Sequence, residues 1–188
     1  MTQPTLSRQI AQLEEELGGG YKVVANLPYY ITTPIVCRFL DEAKKVGAML
    51  VMVQEEVAER FCAQPDTKEY GAITVALKTA AEVKIVRRVG RKMFVPAPNV
   101  DSAVVSIVFD DEKRGGVGRE ALRSVVRAAF SMRRKTLLNN LSAFFKTDKA
   151  VLKDMLEKLG FSPDVRGESL SPEDFLRLAS ELEGLRAV

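Results

Sequence analysis

The chain has 188 residues, 46% of them apolar, and its 28 basic and 25 acidic side chains leave a net charge of +3. That length supports one full hydrophobic core and a small second one, and the mild charge means that any nucleic-acid contact must come from local clustering of basic residues. The sequence has no His, and Cys37 and Cys62 lie far apart. Zinc sites, catalytic triads and imidazole base chemistry are thereby excluded together, and no metal is expected. No apolar run approaches the ~20 residues of a membrane span, and the opening MTQPTLSRQ does not read as a secretory leader, so a cytoplasmic protein without a membrane partner is expected.

Leu6, Ile10, Leu13 and Leu17 recur at helical spacing, and Gly18, Gly19 and Gly20 then stop the pattern, which predicts an amphipathic helix over 5–17. YKVVAN reads as a short buried strand. Thr33 and Pro34 read as the cap and first position of a helix running through PIVCRFLDEAKK toward Gly47. AMLVMVQ follows as a fully apolar strand of the kind covered on both faces, so strand, helix and strand form a right-handed crossover unit. EEVAERFCAQ is predicted helical. YGAITVALKTAAE mixes β-branched residues with alanines, and its length favours helix. VKIVRRV and DSAVVSIVFD alternate as strands do and are joined by GRKMFVPAPNV, which predicts an antiparallel pair at one end of the sheet.

At DDEKRGGVGRE the composition turns charged and glycine-rich, which marks a linker. Helices are predicted over 119–130, 135–145 and 147–159, with Gly160 ending the third. A last helix is capped by Ser171 and closes at Gly184. The expected organisation is an amino-terminal helix and glycine turn (1–20), an α/β part (21–112) and a small all-helical domain (113–188).

The segment with chemistry in it is NLPYYITTP. In open α/β sheets ligands sit beyond the carboxyl ends of the strands, and residues 26–30 leave the first strand at that edge. The Asn26 side chain offers an acceptor oxygen, the turn leaves the carbonyl of Leu27 or Pro28 available, and Tyr29 offers a flat face. Two acceptors and a ring match the exocyclic amino group of a planar base. Accepting both N6 protons of an adenine aims the nitrogen lone pair while stacking holds the base, which activates a weak amine without a general base. Taken alone, Asn and Pro after a strand also make an ordinary turn.

NLPYYITTP resembles the signature loop of the adenine-N6 methyltransferases, and FVPAPNVDSAVVSI resembles the second signature of the ribosomal RNA adenine dimethyltransferases. AAFSMRRKTLLNNLS is similar to the start of the helical domain in the bacterial small-subunit branch of that family. The resemblance implies a Rossmann-like methyltransferase sheet followed by a helical RNA-binding domain. It further implies dimethylation, from S-adenosylmethionine, of N6 on two neighbouring adenosines in a hairpin of small-subunit (16S) rRNA, with the immature 30S subunit as partner. On this resemblance Asn26 and the Leu27–Pro28 backbone hold the amino group, Tyr29 stacks on the flipped adenine, and Phe94 covers its other face. Asn26 and Pro28 are the cofactor contacts that remain. Tyr30 is assigned no catalytic role, and Pro96 and Pro98 stiffen the Phe94 loop.

Basic residues cluster at Arg87 and Arg88, at Arg91 and Lys92, and at Arg133, Arg134 and Lys135. Groups of this kind would position an RNA hairpin through its phosphates, and unpaired loop bases suit the site better than a duplex. The family places a glycine-rich cofactor turn after its first strand and an acid after its second. Gly18–Gly20 precede a strand, so the family's first strands, and with them the main cofactor site, are expected to be missing. The chain is then expected to be an inactive carboxyl-terminal part that binds no cofactor and pairs into a homodimer through an exposed sheet edge. The alternatives are a non-catalytic rRNA- or ribosome-binding module and a large-subunit rRNA adenine methyltransferase.

Overall fold

The computed structural model describes residues 6–17, 20–115 and 118–186. Contacts divide the chain into two units, Met1–Cys62 with Ala80–Asp110, and Ala63–Thr79 with Asp111–Val188. The first unit contains α1 (Leu6–Leu17), β1 (Tyr21–Asn26), α2 (Thr32–Glu42), β2 (Val46–Gln54), α3 (Glu55–Cys62), β3 (Ala81–Val89) and β4 (Ser102–Phe109). Its four strands form one mixed sheet in the order β1-β2-β4-β3. β1 runs parallel to β2, as a strand–helix–strand crossover requires, while β4 is antiparallel to both β2 and β3.

Alternation along the strands decides which face is core. Met49, Val51 and Val53 of β2 and Ala103, Val105 and Ile107 of β4 are buried, and α3 lies against β2, β3 and β4. The opposite face differs from the expectation of a strand covered on both sides: Val24 is 77% exposed, Leu50 39% and Val108 43%. The uninterrupted apolar run of β2 therefore reflects burial on one face and bare hydrophobic surface on the other among the described residues.

Some boundaries move. A 3-10 turn, Tyr29–Ile31, leads straight into α2, which begins at Thr32 with Ile31 as N-cap and not at a Thr33 cap. Thr32 Oγ1 donates to the Pro28 carbonyl at 3.1 Å, so its hydroxyl bonds back into the turn. Gly18 and Gly19 and the side chains of Leu6, Leu13 and Leu17 lie outside the described set, while Ile10 of the same stripe is buried.

The second unit is helical: α4 (Ala72–Lys78), α5 (Asp111–Gly115), α6 (Arg119–Ala129), α7 (Leu137–Phe145), α8 (Lys149–Lys158) and α9 (Pro172–Arg186). The expected linker therefore opens with a short helix, and α4 is shorter than its sequence suggested, because Ala81 and Glu82 join β3. Gly160 ends α8 in the left-handed region with φ +84°, whereas Gly184 stays inside α9. Ser171 caps α9 as its sequence predicts, its Oγ accepting from the Asp174 N–H at 3.1 Å.

The units are not consecutive in sequence. Residues 63–79, expected in the methyltransferase part, belong with the helices because Ala63, Tyr70 and Val75 enter the core of Leu122, Val126, Leu141, Leu156 and Phe175. Tyr70 lies tilted against Phe130 at 6.2 Å between centroids, and its hydroxyl donates to the buried Leu170 carbonyl at 2.6 Å. Burial first, then the carboxylates of Glu173 and Asp174, push the Tyr70 phenol well above its ordinary value.

Tyr70→Phe should lower the unfolding free energy by about 1–3 kcal/mol, because the Leu170 carbonyl is left buried without its donor. Since the fold keeps the phenol protonated, this stabilisation is complete below the ordinary tyrosine value of about 10 and is lost as pH rises beyond it. Urea unfolding followed from about pH 8 to about pH 11 should show that alkaline decline in the wild type and a weaker one in Tyr70→Phe.

Candidate functional site

The carboxyl end of β1 is built by three backbone constraints. Asn26 is paired opposite Met52, and the Leu27 N–H donates to the Met52 carbonyl at 3.2 Å, carrying the contact with β2 one residue past the strand. Leu27 is buried and anchors the exit. Pro28, with φ −60° and ψ 128°, turns the chain, and its carbonyl accepts from Ile31 N–H and from Thr32 Oγ1, both at 3.1 Å. Both lone pairs of that oxygen are thereby used. The two acceptors that carry no hydrogen bond among the described residues are the exposed Asn26 side-chain oxygen and the Leu27 main-chain carbonyl. Of the Leu27 and Pro28 carbonyls, that of Leu27 is the one without a partner among the described residues.

Tyr29 is held from across the sheet. Its hydroxyl hydrogen-bonds Ser102 Oγ at 2.6 Å, and Ser102 is fully buried at the start of β4 between Gln54 of β2 and Val89 of β3. With the ring tethered at its tip, its orientation is set before any ligand arrives. The facing loop is also tied down: the Arg91 N–H donates to Asp101 Oδ1 at 2.8 Å, the Arg91 guanidinium to the Asn99 carbonyl at 3.2 Å, and the Phe94 N–H to the Arg91 carbonyl at 3.2 Å. A cavity of about 330 Å³ is lined by Asn26, Leu27, Pro28, Tyr29, Phe94, Pro96 and Pro98. All five expected catalytic residues thus meet in one concavity, with the two loop prolines completing its wall. Tyr30 stays outside that wall, 85% exposed.

The basic clusters separate. Arg88 is ion-paired with Glu55 and, at 3.4 Å, with Glu59. Arg91 lines a concavity whose other side chains include Glu55, Glu56, Glu59 and Asp101. Both arginines sit among carboxylates, while Arg87 and Lys92 are exposed. In the helical unit, Arg133 and Arg134 line a concavity of about 230 Å³ with Lys68, Arg166, Asp66, Thr67 and Glu168. The Arg133 guanidinium donates to the Lys68 carbonyl at 3.3 Å, and Arg166 pairs with Glu168 at 3.6 Å. Lys135 is exposed outside this cleft. Lys68 and Arg166 carry no local signal in the sequence, and Ser102, although inside FVPAPNVDSAVVSI, has nothing there that pairs it with Tyr29; only the meeting of distant segments brings them in.

The described residues do not form a nucleotide-cofactor cradle. A cradle of that kind needs a glycine turn at the carboxyl end of a parallel strand. Here β1 runs out into Leu27-Pro28 and β2 into Gln54-Glu55, while Gly20 and Gly47 lie at the amino ends of those strands.

Solved structures of similar fold give the class. The chain matches a dimethyladenosine transferase from Plasmodium falciparum with a TM-score of 0.76 and 26% identity, over 87% of this chain and 66% of that one. It matches the 23S rRNA methyltransferase ErmE with a TM-score of 0.65 over 94% of this chain and 78% of that one, a likeness of fold at 24% identity. The fold is that of the rRNA methyltransferases. A sequence model of the ribosomal RNA adenine dimethylase family matches residues 4–183, and the chain belongs to that enzyme family. It is 46% identical over 175 residues to the ribosomal RNA small subunit methyltransferase A of Bacillus mycoides (strain KBAB4), and equally to that of Bacillus anthracis (strain A0248). Those matches take in 91% of this chain and 59% of each relative, so the chain spans well under two thirds of their length.

The tether of Tyr29 is testable by a double-mutant cycle. Ser102→Ala and Tyr29→Phe should each cost about 1 kcal/mol in chemical denaturation, and the double variant should cost little more than either, because both remove the same bond.

Proposed function

We propose that the first unit is the adenine-binding half of an rRNA adenine N6-dimethyltransferase site. The observation that carries this reading is the pair of unsatisfied acceptors, Asn26 side chain and Leu27 carbonyl, beside a tethered tyrosine and Phe94 in one cavity. An extruded adenine between Tyr29 and Phe94 would give one N6 proton to each acceptor, leaving the nitrogen lone pair directed away from the ring plane. Activation by acceptors alone suits a chain with no His. The substrate is two adjacent adenosines in a small-subunit rRNA hairpin, a reading supported by the 46% identity to small-subunit methyltransferases. The large-subunit alternative has only a likeness of fold behind it.

The methyl donor of the complete enzyme is S-adenosylmethionine, toward which Asn26 and Pro28 would face. The chain by itself holds RNA without binding that donor, so in isolation it acts as a binding module directed at the immature 30S subunit in the cytoplasm. The cleft of Lys68, Arg133, Arg134 and Arg166 supplies phosphate contacts, and Lys135, Arg87 and Lys92 add exposed positive charge. Arg88 and Arg91 contribute less, because nearby carboxylates offset them.

Among the described residues β1 is the outermost strand, so the N–H and C=O groups on its far side from Lys22 to Ala25 are open to a second copy, next to Val24 at 77% exposure. That edge supports self-association into a homodimer.

A direct test of the acceptor pair needs no cofactor. A hairpin with unpaired adenosines should bind more tightly than one carrying purine riboside, which lacks the N6 amine, by roughly twofold to tenfold. Asn26→Ala should narrow that difference, leaving the part that the Leu27 carbonyl supplies, and equal affinity of the wild type for both hairpins would remove the assignment. Tyr29→Ala and Phe94→Ala should each weaken adenosine binding by roughly 1–3 kcal/mol.

The isolated chain should show no heat of binding in calorimetric titration with S-adenosylmethionine. Micromolar binding would overturn the view that these residues lack the donor's cradle. Sedimentation should show a concentration-dependent dimer that Val24→Lys dissociates, since a charge on an open edge opposes pairing.

A further inference from the structure

We infer that Asn140 is the positioning residue of the cationic cleft, an inference that rests on the reading of that cleft as an RNA phosphate site. Asn140 lies on α7 at 1% exposure, beside the fully buried Leu137 and Leu141. A leucine would be the ordinary occupant of such a place, and a buried amide is costly unless it is bonded.

Its bonds go to one feature. Nδ2 donates to the Ala129 carbonyl at 2.8 Å and to the Met132 carbonyl at 3.2 Å. These two oxygens bracket the turn in which α6 ends, immediately before Arg133 and Arg134. Two carbonyls facing one amide require its nitrogen there, which leaves Oδ1 buried with no partner among the described residues. The amide is therefore used as a two-pronged donor and is otherwise unsatisfied, the pattern of a group kept for geometry and not for net stability.

Other bonds converge on the same turn. Ser131 Oγ donates to the Ala128 carbonyl at 2.7 Å, and the Lys135 N–H to the Met132 carbonyl at 3.0 Å. Gly167 sits so close that a Cβ there would lie 3.0 Å from the Ala129 oxygen. Gly167 adjoins Arg166, so the packing of Gly167 on Ala129 brings Arg166 to the cleft that Arg133 and Arg134 line. Asn140 holds the carbonyl against which this approach is made. The clamp fixes the direction in which the arginines leave the turn, and phosphate recognition by guanidinium forks depends on that direction.

The test uses the full chain, a small-subunit-type RNA hairpin and three variants: Asn140→Leu, Asn140→Asp and the pair Arg133→Ala with Arg134→Ala. Amide hydrogen exchange over residues 129–136 should accelerate in both Asn140 variants and stay near wild type in the arginine pair. Hairpin affinity should fall about tenfold in all three, and the slope of log affinity against log salt should flatten by roughly 0.7–0.9 for each phosphate that is no longer neutralised. Binding by Asn140→Asp should recover relative to wild type as pH falls, because a protonated carboxyl can again donate to a carbonyl, whereas Asn140→Leu should not recover. A buried carboxylate also loosens the core until it is protonated, so the two variants are compared only at pH values where urea unfolding shows both equally folded.

Folded Asn140 variants with wild-type exchange and affinity would overturn the inference, as would an acid recovery shared by both. An arginine pair that binds like wild type would instead overturn the cleft reading. In that event accelerated exchange in Asn140→Leu would sustain the clamp as a feature of the turn, and unchanged exchange would end it.

Discussion

The bond from the Leu27 N–H to the Met52 carbonyl is the constraint on which the candidate site depends. It holds the chain to β2 one residue beyond the last paired position, so Asn26 remains at the rim of the sheet as the backbone turns away. Pro28 then directs its carbonyl inward, where Ile31 and Thr32 use it up. What is left outward is one side-chain oxygen and one main-chain oxygen on adjacent residues. A rigid proline is useful here because it loses little conformational entropy in reaching this turn.

The wall opposite is made by the same logic of tethering. Tyr29 is fixed at its hydroxyl by a serine 73 positions away in the chain, and the Phe94 loop is pinned through Arg91 to Asp101 and Asn99. Groups held in place in this way need not reorganise when charge develops on a bound ligand. The acidic side chains near Arg88 and Arg91 keep that edge of the sheet from being a simple basic patch, and the stronger concentration of cations falls in the helical unit.

The division of the chain also bears on function. The insertion of residues 63–79 into the helical core means that Lys68 can share a cleft with Arg133, Arg134 and Arg166, although the sequence places it between a helix and a strand of the other unit. Tyr70 secures that insertion by donating its proton to the Leu170 carbonyl inside the core.

By itself the sequence determined much that is local. The parallel crossover, the antiparallel pair at the end of the sheet, the helices after residue 118, the Ser171 cap and the Gly160 stop all follow from periodicity and capping chemistry. The gathering of Asn26, Leu27, Pro28, Tyr29 and Phe94 was legible because two signature segments bracket the site. Only the tertiary structure decided which carbonyl remains free, that Ser102 orients Tyr29, that Arg88 is neutralised by α3, and that residues 63–79 belong to the helical core. Each of those depends on which distant segments meet across a register or a core. Local propensity has no knowledge of such partners, because the energy that selects them is released only when side chains far apart in sequence are buried together.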